Sequence, residues 1–290
     1  ELCPVWLYRI RHELDEYDGA AMTDYCTATW RLLVSEPASG AMNMAIDEAI
    51  LRAVAAGHAP PTLRLYAWEP PCLSLGRGQP QSDVDAEALH GAGYGLVRRP
   101  TGGRGILHID ELTYSVIAPD SEPRVADGIV ESYRRLSTGL VRSLEILGVQ
   151  DIVADQRVQN RNAHGPVCFE VPADYEITAA GRKLVGSAQM RSKGVVLQHG
   201  AVPVCGDISR ICLYLASHPD RDRVRRRATT LAESLGRAVS WDEVAGAIRA
   251  GFSEALALQF ETDELLPSEW KWADELQPLK YGSAEWTGRI

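Results

Sequence analysis

The sequence of 290 residues has no apolar run near the length of a bilayer-crossing helix, roughly 20 residues. A membrane span is therefore not expected. The opening stretch mixes charges with short apolar pieces and lacks the layout of a signal peptide. It reads as a poorly ordered extension, with Met22 as an alternative start, and the expected location is cytoplasmic. The six cysteines, Cys3, Cys26, Cys72, Cys168, Cys205 and Cys212, include no C-x-x-C pair and no Cys/His cluster at zinc spacing. That spacing argues against a metal site, and the missing export signal argues against a disulfide framework. Each cysteine is then a buried apolar filler, the commoner case, or a reactive thiol. Basic charge is also short: the net charge of −9 argues against a broad nucleic-acid-binding face. There is no internal repeat, no P-loop, and no G-x-G-x-x-G following a strand.

What is present is ordinary globular composition, 45% hydrophobic and 24% charged, on a chain long enough for a buried core. TWRLLVSE at 29–36 reads as a strand, and AMNMAIDEAILRAVAAG as a helix stopped by Gly57. TLRLYAW, CLSLGRG, GLVRRP and ELTYSVIAP read as strands, with a helix in DVDAEALHGAG. ADGIVESYRRLSTGLVRSLEILG has the clearest helical period, and 151–165 reads as an irregular loop. DYEITAAGRKLVGSAQMR carries a hairpin signal at Ala180-Gly181, GVVLQHGAVPV is a further strand, and helices return from Asp207. The expectation is an α+β domain with a mixed, largely antiparallel sheet flanked by helices. Its parts are an extension at 1–28, a catalytic domain at 29–265 that is helical from about 207, and a tail at 266–290. The part from about Pro219 onward is a candidate helical appendage.

Three segments could carry chemistry. Arg98-Arg99-Pro100-Thr101-Gly102-Gly103-Arg104-Gly105 sets glycines beside arginines between two strands. Successive backbone N–H groups there could cradle an anion or carbonyl oxygen, or the segment is a hairpin with solvated arginines; composition does not separate these. Cys168 needs a neighbouring positive charge to become a thiolate, and Lys183 is a candidate, although such a lysine is more often a surface residue. His108 and His199 suit proton transfer or a structural hydrogen bond equally. The run Arg221, Arg223, Arg225, Arg226, Arg227 reads first as a solvated helix face.

The ordered set RRPTGGRGILH, ELTYSV, CFEVPADYEI, GRKLVGSAQMR and LQHG, with NMAIDEAIL and PTLRLYAWEPPCLSLGRGQ upstream, resembles the LipM-type octanoyltransferases. These belong to the biotin/lipoate protein ligase superfamily, and the likeness spans Trp30 to Asp207, with a loose match at KYGSAEW. The resemblance implies that superfamily's catalytic-domain fold. It also implies transfer of octanoyl from acyl carrier protein to the lysine of a lipoyl domain, such as glycine cleavage H protein. Cys168 falls on the family's nucleophile and Lys183 on its activating lysine. Arg98, Arg99, Thr101, Gly102, Gly103, His108, Gly186, Ser187, Ala188 and His199 become candidate substrate contacts. No cofactor is implied, since the thioester is already activated, and a monomer is expected. The arginine groups, Arg98 and Arg225 among them, are then candidate docking surfaces for acidic carriers. The rivals are an ATP-dependent lipoate–protein ligase, an amidotransferase between lipoyl domains, and a silent carrier-binding module. Ligases carry G-G-G-A-V-F-H-D-like residues where this chain has Gly102-Gly103-Arg104-Gly105-Ile106-Leu107-His108-Ile109, and they lack the cysteine at 168.

Overall fold

A computed structural model of the chain describes residues 25–155 and 176–290. The first strand-like run forms β1 (Ala28–Val34) and the periodic stretch after it forms α1 (Gly40–Ala55). Ser39 starts that helix by accepting the Met42 N–H on its hydroxyl. There follow β2 (Thr62–Tyr66), β3 (Cys72–Leu75), α2 (Ala86–Gly91), β4 (Gly95–Arg98), β5 (Ile106–His108) and β6 (Glu111–Pro119). The long amphipathic stretch is α3 (Gly128–Leu147). Beyond it come β7 (Ile152–Asp155), β8 (Glu176–Ala179), β9 (Arg182–Ser192) and β10 (Val195–Pro203). The chain continues through α4 (Arg221–Arg227), α5 (Leu231–Leu235), α6 (Trp241–Leu256), β11 (Leu258–Thr262), α7 (Pro267–Leu276) and α8 (Ala284–Thr287).

Eight strands form one sheet in the order β11-β1-β2-β6-β10-β9-β8-β7. β1 runs parallel to β2 and β11, and every other pairing is antiparallel, so the α+β expectation of a mixed, largely antiparallel sheet holds. Strand alternation sorts the side chains between two layers. Leu63, Leu65, Leu112, Tyr114 and Val116 join the core under α3 and α6, whereas Tyr66 and Ile117 join the core under α1 and α7. α3 and α6 approach closely because Gly139 has no side chain: a Cβ there would lie 3.0 Å from the Phe252 ring. A small sheet, β4-β3-β5, stands beside the large one and carries a third core.

Two expectations about the chain's organisation are corrected. The start of the expected loop at 151–165 is β7, whose Ile152 pairs with Ala179; the pairing satisfies the outer edge of β8. The part after Pro219 does not stand off as an appendage: it and the tail at 266–290 both join the main sheet. β11 extends the main sheet in parallel with β1. From α7, Glu269 makes a buried two-pronged pair with Arg31 of β1, at 2.9 and 2.6 Å.

Candidate functional site

Where the small sheet meets β9, β10, α1 and the start of α3, the chain encloses a cavity of about 580 Å³. Its apolar walls include Met44, Tyr66, Trp68, Ile106, Val130 and Tyr133. Of the residues expected from the sequence, Arg99, Gly102, Gly103, His108, Gly186, Ser187, Ala188 and His199 line it. The glycines are there for close approach: a Cβ on Gly76 would lie 2.0 Å from the carbonyl oxygen of Gly103, which itself has φ +90°. Thr101 stands one step back, with its hydroxyl 2.7 Å from His199 Nε2. Ser187 is held by the Tyr114 hydroxyl at 2.7 Å.

Arg98 is not brought to the cavity. It is fully buried, and its guanidinium donates to the carbonyl oxygens of Gly76 (2.8 Å), Gln79 (2.6 Å) and Thr287 (2.7 Å). In return the Trp286 indole donates to the Arg98 carbonyl at 2.8 Å. Its charge is spent on joining the glycine-rich loop to the C-terminal segment, which leaves nothing for an anion or an acidic carrier. Arg99 also works as a brace, donating to Ser74 and to the Gly102 and Arg104 carbonyls. Arg225 and Arg221 remain partly exposed but share the Asp207 carboxylate, at 2.7 and 2.6 Å.

Lys183 is not a surface lysine. It is buried on β9 ahead of Gly186, and its Nζ lies 2.9 Å from Glu176 Oε1 across the β8–β9 hairpin. The turn of that hairpin is at Ala180-Gly181, both with positive φ. Cys168 lies outside the described residues.

Sequence reading missed two buried polar assemblies behind the cavity. In the first, Asp47 of α1 accepts from Arg64 (2.8 Å), Tyr66 (3.1 Å) and Ser115 (2.8 Å) and lies 3.4 Å from His199 Nδ1. In the second, Glu111 lies 2.5 Å from His108 Nδ1, and the opposite ring nitrogen lies 2.8 Å from Ser74 Oγ. The available signals were an aspartate on the apolar stripe of NMAIDEAIL and an arginine within the strand TLRLY. Among the described residues, no group of three or more His, Cys, Asp or Glu is placed to hold a metal ion. No helix among them is long and apolar enough to cross a membrane.

The first assembly makes stability depend on pH. Burial opposes the charge on Asp47, yet the hydrogen bond with His199 and the Arg64 guanidinium outweigh it, so its carboxyl titrates below the usual range. Burial pulls the His199 imidazole below its usual value, with Asp47 opposing. In both cases the unfolded chain binds protons more readily than the folded one. Stability is therefore complete above the unfolded values and falls as pH falls, below about 6.5 for His199 and about 3.9 for Asp47. Urea midpoints are expected to drop steadily on acidification through this range, less so in the upper part for His199→Gln. A midpoint flat across that range would contradict the account.

An α+β sheet with a glycine-walled apolar cavity against β9 and β10 defines a class, and the class is visible in sequence: residues 39–253 match the lipoyl protein ligase A/B catalytic domain. The octanoyltransferase LipM of Kyrpidia tusciae is 44% identical over 272 residues, covering 90% of this chain and 99% of the relative. Among solved structures, a lipoate-protein ligase A bound with ATP is similar with a TM-score of 0.76 and 29% identity, covering 91% of this chain and all of that one. A bipartite lipoate protein ligase from Thermoplasma acidophilum, described with its E2 lipoyl domain, gives 0.73 and 28%, covering 90% and 97%. The chain belongs to the lipoyl protein ligase A/B catalytic-domain family and, within it, to the LipM-type octanoyltransferases, acyltransferases of protein lipoylation.

Proposed function

We propose that the chain takes octanoyl from the phosphopantetheine thioester of acyl carrier protein onto Cys168. It then delivers the group to the lysine amine of a lipoyl domain such as glycine cleavage H protein, with no ATP or other cofactor. The observation that carries this reading is the cavity: apolar walls suit the alkyl chain, and the backbone of Gly102-Gly103 and Gly186-Ser187-Ala188 lets it lie close. In the first step the Cys168 thiolate attacks the thioester carbonyl, the bond to the carrier sulfur breaks, and the pantetheine thiolate leaves and is protonated. Exchange between thioesters is nearly neutral in energy, so this step asks mainly for a thiolate and a shaped cavity. The ammonium of Lys183, kept from water beside Glu176, supplies positive charge for the thiolate and the developing oxyanion. In the second step the acceptor amine attacks and an amide replaces the enzyme thioester, a downhill exchange.

Incubation with octanoyl-acyl carrier protein is expected to add one octanoyl mass to the intact protein. Hydroxylamine should remove it, and peptide mapping should assign it to Cys168. If no adduct forms, and octanoate is attached to a lipoyl domain only when ATP is supplied, the ligase reading replaces this one.

A further inference from the structure

The second polar assembly has the geometry of a proton relay that opens on the cavity. Glu111 accepts from the Thr113 hydroxyl, which in turn accepts from the Trp68 indole at 2.8 Å, so the carboxylate is aimed. It faces His108 Nδ1 at 2.5 Å, which places the ring hydrogen on that nitrogen and leaves the lone pair on Nε2. Nε2 then accepts from the Ser74 hydroxyl at 2.8 Å, while Arg99 Nη1 donates to the same oxygen at 3.1 Å. The imidazole is clamped flat against Trp68, centroids 3.9 Å apart and planes 11° apart. Ser74 and His108 both line the cavity.

We propose that Ser74, His108 and Glu111 form the relay that removes a proton from the incoming acceptor lysine; this rests on the transfer reaction proposed above. A lysine arrives as an ammonium, with a usual pKa of about 10.4, and has no lone pair to attack with. The Ser74 oxygen takes a proton from the ammonium as its own hydrogen passes to His108 Nε2, and Glu111 stabilises the resulting imidazolium. The free amine attacks the thioester carbonyl carbon, the tetrahedral adduct collapses, and the C–S bond breaks. The second proton on the nitrogen goes to the departing sulfur, and His108 returns the first to water.

His199 is less suited to this role. Its Nε2 is taken up with Thr101, and its carboxylate neighbour Asp47 lies 3.4 Å away with its charge already met by Arg64. The charged and titratable groups facing His108 are Glu111 from its own turn, Arg99 from the end of β4 and His199 from β10, with the Asp47–Arg64 pair behind His199.

The test separates the two half-reactions in the full-length protein. Octanoyl loading is read by intact mass, and single-turnover transfer to a lipoyl domain is read across pH. In Ser74→Ala and Glu111→Gln, the ratio of the transfer rate to the loading rate near pH 7 should fall by about 10²-fold or more. In His108→Gln the transfer rate should climb tenfold per pH unit towards the pKa of the lysine, about 10.4, whereas the wild-type rate levels off well below it. A structural role would scale the pH profile without changing its shape. Variants that load and transfer with an unshifted profile overturn the relay and leave the proposed function standing. A wild type that never loads overturns the proposed function itself.

Discussion

Lys183→Ala is expected to slow octanoyl loading by about 10²–10³-fold, the scale seen when a preorganised group facing a developing oxyanion is removed. The size follows from burial. An exposed lysine would be screened by water, but Lys183 is 3% exposed and held 2.9 Å from Glu176, so its charge acts in a low dielectric. The substitution also removes the buried ion pair with Glu176, which costs stability in its own right. The double variant Lys183→Met/Glu176→Gln separates the effects: folding should recover while loading stays slow. If loading recovers together with stability, Lys183 is a structural cation and its assigned role is wrong.

The largest loss of stability is expected from Asp47→Ala, at about 3–5 kcal/mol, the usual cost of removing one partner of a buried ion pair. Arg64 is fully buried and would keep, among the described residues, hydrogen bonds to Ser35 and Asn43 and the face of the Tyr66 ring, but no carboxylate. Tyr66 and Ser115 would lose their acceptor, and His199 its carboxylate neighbour. Urea unfolding measures the loss, and a change below about 1 kcal/mol would show that Arg64 is compensated elsewhere. Asp47→Asn keeps the shape and removes the charge, so its loss should fall between wild type and Asp47→Ala; the dependence below about 3.9 should vanish, while that below about 6.5 persists because His199 loses the charge that raises it.

Much of the architecture is written in local pattern. Apolar period placed α1 and α3, and the Ala180-Gly181 turn placed the β8–β9 hairpin. What escaped depends on partners distant in sequence. Ile152–Asp155 is a four-residue run leading into a polar stretch, too short to read as a strand, and it is paired along the edge of β8. Leu258–Thr262 pairs with the first strand across more than two hundred residues of chain. At the site, the glycines and histidines were legible because their residue types are unusual where they stand. Arg98 was misread because an arginine beside glycines suggests an anion site, and only the fold reveals that its acceptors are backbone carbonyls. Ser74 and Glu111 went unnoticed because serine and glutamate are unremarkable on short strands, and their meaning comes from His108 lying between them.

The union of Arg98 with Thr287 also has a consequence in time. Their hydrogen bonds span 189 residues. At a synthesis rate of about 5–20 residues per second, the loop bordering the cavity waits roughly 10–40 s for its last acceptor. Before that, a nascent chain has already made both histidines, the cysteine and the lysine, yet holds a buried-to-be guanidinium that still needs water. These residues therefore exist well before the glycine-rich loop can close, and its closure reports that the C-terminal helices have arrived.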